Sequence, residues 1–307
     1  MTGRVLVIGS SNTDLIVQTE RLPRPGETLL GGRFLSAPGG KGANQAVAAS
    51  RAGAQVTFLA RLGTDAYGDA SLAGLQADGI DTQFIIRDAK FPSGVALINL
   101  SAAGENSIAV ALGANARLSA ADVRKARDFL TADDVVLVQL ETPLATVAAA
   151  ARLATNSGAR LILNPAPAAE LSPQLLSQVA ILTPNETEAE LLTGKKVRDP
   201  RTASVAARML RERGAGTVIV TLGAQGAWVS APHGEFLATP FPVTAVDTTA
   251  AGDVFNGALA AGLAGGRSLA DAVQFASAAA AISVTRLGAQ PSAPRRVEIV
   301  RRLKARG

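Results

Sequence analysis

Cysteine is absent from this 307-residue chain, and histidine occurs once, at His233. Without thiols there is no disulfide, no thiolate metal site and no cysteine nucleophile. The lone histidine stands between Pro232 and Gly234 in a turn-like stretch, so no His-based triad or zinc cluster can be assembled. Aromatic residues make up only 4% of the chain. The basic C-terminal stretch RRVEIVRRLKAR carries none for base stacking, which argues against nucleic acid as a partner. Val297, Val300 and Leu303 recur there at helical spacing, so the arginines are expected on the wet side of a docked helix. No apolar run free of charge or turn residues is long enough to span a membrane, and MTGRVLVIGS turns polar by Ser10, as a buried first strand would. These absences predict a soluble, cytoplasmic protein whose chemistry rests on carboxylates, lysine, amides and backbone.

A hydrophobic content of 48% suffices for a large core, and the net charge of +5 is modest for this length. Short apolar runs (RVLVIG, VTFLARLG, DVVLVQLE, ARLILNPA, VAILTPNE, TVIVTLG) alternate with alanine-rich helical stretches. That rhythm predicts an α/β fold, a doubly wound and mainly parallel sheet flanked by helices. Residues 13–37 and 84–111 break it, alternating apolar with polar and punctuated by Pro and Gly. They are expected to form antiparallel strands projecting from the body as a small β-sheet lid. GKKVRDPRTA, at 194–203, reads as a loop between helices, so residues 1–307 are expected to form one domain.

Several polar residues fall where open α/β sheets place ligands, beyond the carboxyl ends of strands. Asn12 and Asp14 follow the first run, and Glu141 ends another. Asn185 and Glu188 open a helix, while Gly223 and Gly226 follow a later strand. Each alone could be a turn former or a helix cap. In APGGKGANQAVAASRAGA, Gly39, Gly40 and Gly42 surround Lys41, with Asn44 one turn into a helix. This is no Walker A loop, since Leu35 and Gly42 stand where that motif needs Gly and Ser or Thr. In AVDTTAAGDVFNGA, small residues leave a helix start bare just before Asp253. Bare N–H groups suit an anion and a neighbouring carboxylate suits proton removal, although Asp253 could equally cap that helix.

These two stretches, with NPAPA, LTPNETEAELLTG, VIVTLGAQGAW and TRLGAQPSAP, resemble the signatures of the ribokinase-like sugar kinase family along nearly the whole chain. The resemblance implies the ribokinase-like fold and ATP-dependent phosphorylation of D-ribose at its 5-hydroxyl. It implies Asp253 as the catalytic base and the amides of Ala250, Ala251 and Gly252 as an anion hole. Asn12, Asp14, Gly40, Lys41, Gly42, Asn44 and Glu141 match sugar-holding positions. Asn185, Thr221, Gly223, Gly226, Gly252 and Ser277 match positions along ATP, and Glu188 one tied to Mg²⁺. Asp247, Thr249, Ser283, Arg286, Gly288 and Ser292 match a site for K⁺ as monovalent activator, with Ser283, Arg286 and Gly288 acting largely through backbone carbonyls. A homodimer through the lid is implied as well. A related kinase for 2-deoxyribose, fructose, a sugar acid or a nucleoside is the alternative, and scarce aromatics disfavour the nucleoside. A non-catalytic sensor would have no use for Asp253, and a dehydrogenase would carry GxGxxG after the first strand, where only Gly9 stands.

Overall fold

The computed structural model describes residues 3–305. In chain order the strands are β1 (Val5–Ile8), β2 (Asn12–Thr19), β3 (Arg33–Gly39), β4 (Val56–Leu59), β5 (Arg61–Gly63), β6 (Ile86–Asp88) and β7 (Gly94–Ser101). They continue as β8 (Asn106–Ala111), β9 (Val135–Val138), β10 (Arg160–Leu163), β11 (Ile181–Leu182), β12 (Thr217–Thr221), β13 (Ala227–Ala231) and β14 (Gly234–Ala238). The helices are α1 (Lys41–Arg51), α2 (Ala66–Ala77), α3 (Ala120–Arg124), α4 (Leu144–Ser157) and α5 (Pro173–Leu176). They end with α6 (Glu186–Thr193), α7 (Pro200–Glu212), α8 (Ala251–Ala264), α9 (Leu269–Ser283) and α10 (Arg296–Lys304).

Eight strands form the main sheet in the order β14-β13-β12-β11-β10-β9-β1-β4, parallel from β4 to β12 with two antiparallel strands at one edge. Its inner strands are buried on both faces because helices cover both. Val5 and Val7 pack with α1, α8 and α9, while Leu6 and Ile8 pack with α4 and α7. Full burial on alternating sides explains why these strands read as unbroken apolar runs. The order reverses between β1 and β9, since the chain leaves β1 for β4 on one side and continues from β9 to β10 on the other. Such a reversal opens a crevice at the carboxyl ends of the strands.

The two regions that broke the helical rhythm meet in a separate four-stranded sheet, β3-β2-β7-β8. Its hairpins are antiparallel as expected, but β2 and β7 pair in parallel. The chain must travel through β4, α2 and β6 between those two strands, which brings it back in the same direction. β6 pairs instead with β5, so the sheet draws on 94–111 and not on all of 84–111. Ile16, Leu35, Ile98 and Ile108 stand in register across the four strands, and Leu35 and Ile108 are exposed.

The C-terminal helix docks through two of the three apolar positions its spacing predicted, Val300 and Leu303, with Ile299 in place of Val297. Val297 is 63% exposed, whereas Ile299 is fully buried with Val300 and Leu303 beside it. Val297 and Ile299 flank the row of Val300 and Leu303 on opposite sides of the helix, and periodicity alone does not say which of the two joins that row in the core. Among the described residues no helix is long and apolar enough to cross a membrane.

Candidate active site

The glycines before α1 let its first turn abut the end of β1. A Cβ on Gly42 would lie 2.5 Å from the Ser10 amide nitrogen, and one on Gly40, where φ is 86°, 2.7 Å from that of Asn12. Glu141, just past β9, bridges this junction. Its Oε2 accepts from Ser10 Oγ at 2.6 Å and from the Lys41 amide at 3.0 Å, so one oxygen is committed to holding the start of α1. The Gly42 amide donates to Ser10 Oγ at 3.3 Å.

Asn12 is held from behind by the fully buried Asn115, whose Nδ2 donates to Asn12 Oδ1 at 2.8 Å and to the Ser11 carbonyl at 3.1 Å. That uses the acceptor of Asn12 and leaves its amide to donate. Gly94 permits the arrangement, since a Cβ there would fall 2.2 Å from both side chains. Sequence reasoning missed Asn115, which lies far along the chain in a short turn at 113–117 with no local signal of its role.

Asp253 lies in the first turn of α8 but does not cap it. The cap position is Ala250, in the left-handed region at φ 57°, and no side chain caps there. The Asp253 carboxylate faces α1, where Oδ2 accepts from Asn44 Nδ2 at 3.0 Å and Oδ1 from Gln45 Nε2 at 2.9 Å. The cap reading fails because these two amides offer the buried carboxylate donors that the helix end would otherwise supply. Asn44 Oδ1 is buried without a partner, an acceptor left over for a ligand hydroxyl. Of the three amides expected as an anion hole, that of Ala251 donates to the Thr248 carbonyl at 3.2 Å. Gly252 is exposed at the helix start, where amides lack intrahelical partners.

Asp14, Glu141, Glu188 and Asp253 share their field with one cation, Lys41. Burial pulls the ammonium down, but the four acids together more than reverse that and hold it charged. Burial pushes the Asp253 carboxyl up, opposed by Lys41, Asn44 and Gln45 and reinforced by Glu141. Burial, then Glu141 and Asp253, push Asp14 up to about 6 against the pull of Lys41. Gly39 leaves room for that carboxylate, which a Cβ would meet at 2.3 Å.

With its folded pKa above its unfolded one, Asp14 stabilises the protein below its ordinary value of 3.8, and this contribution is lost as pH rises through about 6. At pH 7.5 the ionised group therefore opposes folding. Asp14→Asn is expected to raise the melting temperature there by roughly 2–4 °C, about 1 kcal/mol for a large domain. The gap over wild type should close near pH 4, which paired thermal melts at the two pH values would check.

Asn185, Thr221, Gly223, Gly226, Gly252 and Ser277 all line one cavity of about 780 Å³, walled by Phe241, Val243 and Phe255. Asn185 caps α6 and exchanges hydrogen bonds with Glu188, whose oxygens accept from the Asn185 amide and from its Nδ2, both at 3.0 Å. Burial raises the Glu188 carboxyl, against the Asn185 bond and Lys41. Among the described residues no cluster of three or more acids or histidines could hold a metal by itself. Asn185 and Glu188 bring hard oxygen atoms to the start of α6, the donor type that suits Mg²⁺, which keeps most of its waters and shares phosphate oxygens.

Asp247 sits at the junction of the α8 approach and the loop after α9. Its oxygens accept from the Thr249 and Gly288 amides, each at 2.8 Å. Burial pushes its carboxyl up, but these bonds outweigh it and hold the group below the usual range. Ser283 and Ser292 spend their hydroxyl protons on the carbonyls of Ala280 and Ala289, and the Arg286 guanidinium pairs with Glu298. Oxygen lone pairs, not side-chain donors, are what this corner retains, a set that suits a hard monovalent cation.

A crevice at the strand reversal, a buried carboxylate at a bare helix start and an adjoining cavity define a phosphotransferase of the sugar kinase type. The model of the pfkB family of carbohydrate kinases matches residues 2–296, and the chain belongs to that family. It is 45% identical to the ribokinase of Haemophilus influenzae, over 97% of each chain. It is 38% identical to the deoxyribokinase of Salmonella typhimurium, over 94% of this chain and 95% of that one. The solved structure of Arabidopsis thaliana ribokinase complexed with ribose and ATP superposes with a TM-score of 0.89 at 32% identity, covering 99% of both chains.

Proposed function

We propose that this chain phosphorylates D-ribose at the 5-hydroxyl with ATP, with Asp253 as the base. The observation that carries this reading is the Asp253 carboxylate itself, buried, aimed by two amides and set where α8 opens on the large cavity. The polar groups around it suit a polyol: donors on Asn12 and Lys41, acceptors on Asp14, Asn44 and Glu141, with Gly40 and Gly42 giving close backbone approach. As the 5-oxygen bonds to the γ-phosphorus, its proton passes to Asp253 and the bridging oxygen leaves on ADP. The amides of Ala250 and Gly252, and that of Ala251 once it releases the Thr248 carbonyl, would receive the charge of the moving phosphoryl group. Asn185, Thr221, Gly223, Gly226 and Ser277 line the path of the nucleotide. Mg²⁺, when bound, would neutralise phosphate charge, with Glu188 and Asn185 reaching it through water. K⁺ would lie against Asp247 and the carbonyls around Ser283, Arg286, Gly288 and Ser292. This reading places the protein in the cytoplasm.

The similarity to a deoxyribokinase supports 2-deoxyribose as a second acceptor. A coupled ATP-consumption assay with ribose, 2-deoxyribose, fructose and adenosine, in potassium and then sodium buffer, tests these readings. Fast turnover of ribose stimulated by potassium is the expected result, and absence of turnover with ribose would remove the acceptor assignment.

We also propose that the small sheet is a lid that pairs with a second copy of this chain. The row Ile16, Leu35, Ile98 and Ile108 shares a face with Asp14, and a thin sheet with an apolar face needs a cover. Ile108→Glu is expected to give a monomer by light scattering and to raise the KM for sugar. A variant that remains dimeric would exclude this face as the interface.

A further inference from the structure

Behind Asp253 lies a chain of buried amides that none of the expected site residues includes. Gln45 is fully buried on α1, one residue past Asn44. Its Nε2 donates both to Asp253 Oδ1 at 2.9 Å and to Asn164 Oδ1 at 3.0 Å. Its Oε1 accepts from Gln139 Nε2 at 2.6 Å. Asn164, beyond β10, in turn donates Nδ2 to the Thr183 carbonyl at 3.1 Å. These bonds agree on one orientation for every amide. An ionised carboxylate can only accept, so Gln45 must turn its nitrogen to Asp253. Its oxygen then faces Gln139, which must donate. A reversed Gln45 would set oxygen against the carboxylate and nitrogen against the Gln139 donor.

We propose that Gln45 is a positioning residue for Asp253: with Gln139 and Asn164 it fixes the carboxylate's direction and favours its ionised form, without itself contacting the sugar. This rests on the reading of Asp253 as base. The other groups acting on that carboxylate are Lys41 and Asn44, which favour ionisation, and Glu141, which opposes it. Asp14 and Glu188 are further acids coupled to it. None of these would substitute for Gln45, because Asn44 already holds the other oxygen. A polar residue that merely helps fill the core would lower stability and reduce active protein equally at all pH values. A residue that favours the ionised base shifts the pH at which the base becomes competent.

The test is the pH profile of single-turnover phosphoryl transfer for Gln45→Leu, with sugar affinity and thermal melts measured alongside. Losing one hydrogen bond to a charged group should move the acid limb up by about one pH unit, a loss of about tenfold on that limb. Transfer should recover toward alkaline pH, and the Kd for sugar should stay within about twofold. An acid limb at the wild-type position in a folded variant overturns the proposal. Should Gln45→Leu not fold, Gln45→Met carries the same test, since it keeps the unbranched length of the side chain, removes the donor to Asp253 and should shift the limb in the same direction. Asp253→Asn, run in parallel, separates the two readings. If it retains transfer, the base assignment fails and this proposal with it, whereas an inactive Asp253→Asn beside an unshifted Gln45→Leu removes the role of Gln45 alone.

Discussion

Replacing Asp253 with Asn is expected to lower the rate of phosphoryl transfer by about a hundred- to ten-thousandfold, the range that a positioned general base contributes. The substitution keeps the shape of the side chain and removes its charge. One of the two donors facing it, Asn44 Nδ2 or Gln45 Nε2, would meet the new amide nitrogen. Asn44 can answer by rotating its unpartnered Oδ1 inward. That rotation removes an acceptor from the pocket proposed for the sugar, so the Kd for sugar is expected to weaken, by about tenfold at most. Burial opposes the charge of Asp253, so the melting temperature should hold or rise at neutral pH. Rapid-quench kinetics, calorimetric titration with sugar and a thermal melt check the three parts. A rate within about threefold of wild type would sink the assignment of the base.

Gly257→Ala is expected to damage both stability and catalysis from a buried position between two helices. α1 and α8 cross closely there, and a Cβ on Gly257 would lie 2.5 Å from the Gln45 carbonyl oxygen and 2.7 Å from the Ala48 Cβ. With the Ala49 amide nitrogen at 2.8 Å, all three close contacts are with helix α1 and two of them are backbone, so relief requires the helices to separate by roughly 1 Å. Overpacking of this kind costs about 1–3 kcal/mol. The same shift draws Asn44 and Gln45 away from Asp253, and a 1 Å error in catalytic geometry can cost about a hundredfold in rate. Gly74→Ala is the control, because its Cβ would meet nothing within 4 Å on helix α2. That change should stabilise by about 0.5–1 kcal/mol, with turnover unchanged. Thermal melts and transfer rates of the two variants should move in opposite senses.

The main sheet was legible because each of its inner strands is buried on both sides and leaves an unbroken apolar run. Lid pairing was legible as strands but not in direction, since alternation gives faces and not the sense of the neighbour. Asp253 and Asn44 carried a local signal, the bare helix start and the glycine-flanked turn. Gln45 and Asn115 carried none. Their roles depend on where α1 crosses α8 and where the 113–117 turn returns beside β2, distances that no window of sequence contains. The cap reading of Asp253 erred for the same reason, because the donors that claim its carboxylate come from more than two hundred residues away. In α10 the spacing was right in kind, and the stripe that docks was set by the packing of Ile299.

Ala250 occupies the left-handed region without being glycine, alone in this among the described residues. Ala250→Gly would relieve about 1–2 kcal/mol of backbone strain, partly offset by the greater freedom that glycine gives the unfolded chain. A heat-tolerance screen would rank that variant well. Selection for turnover would rank it poorly, because a mobile approach to α8 no longer aims its amides at one point. Breeding this enzyme for thermostability would therefore drift toward loss of activity at residue 250 unless both traits were scored together.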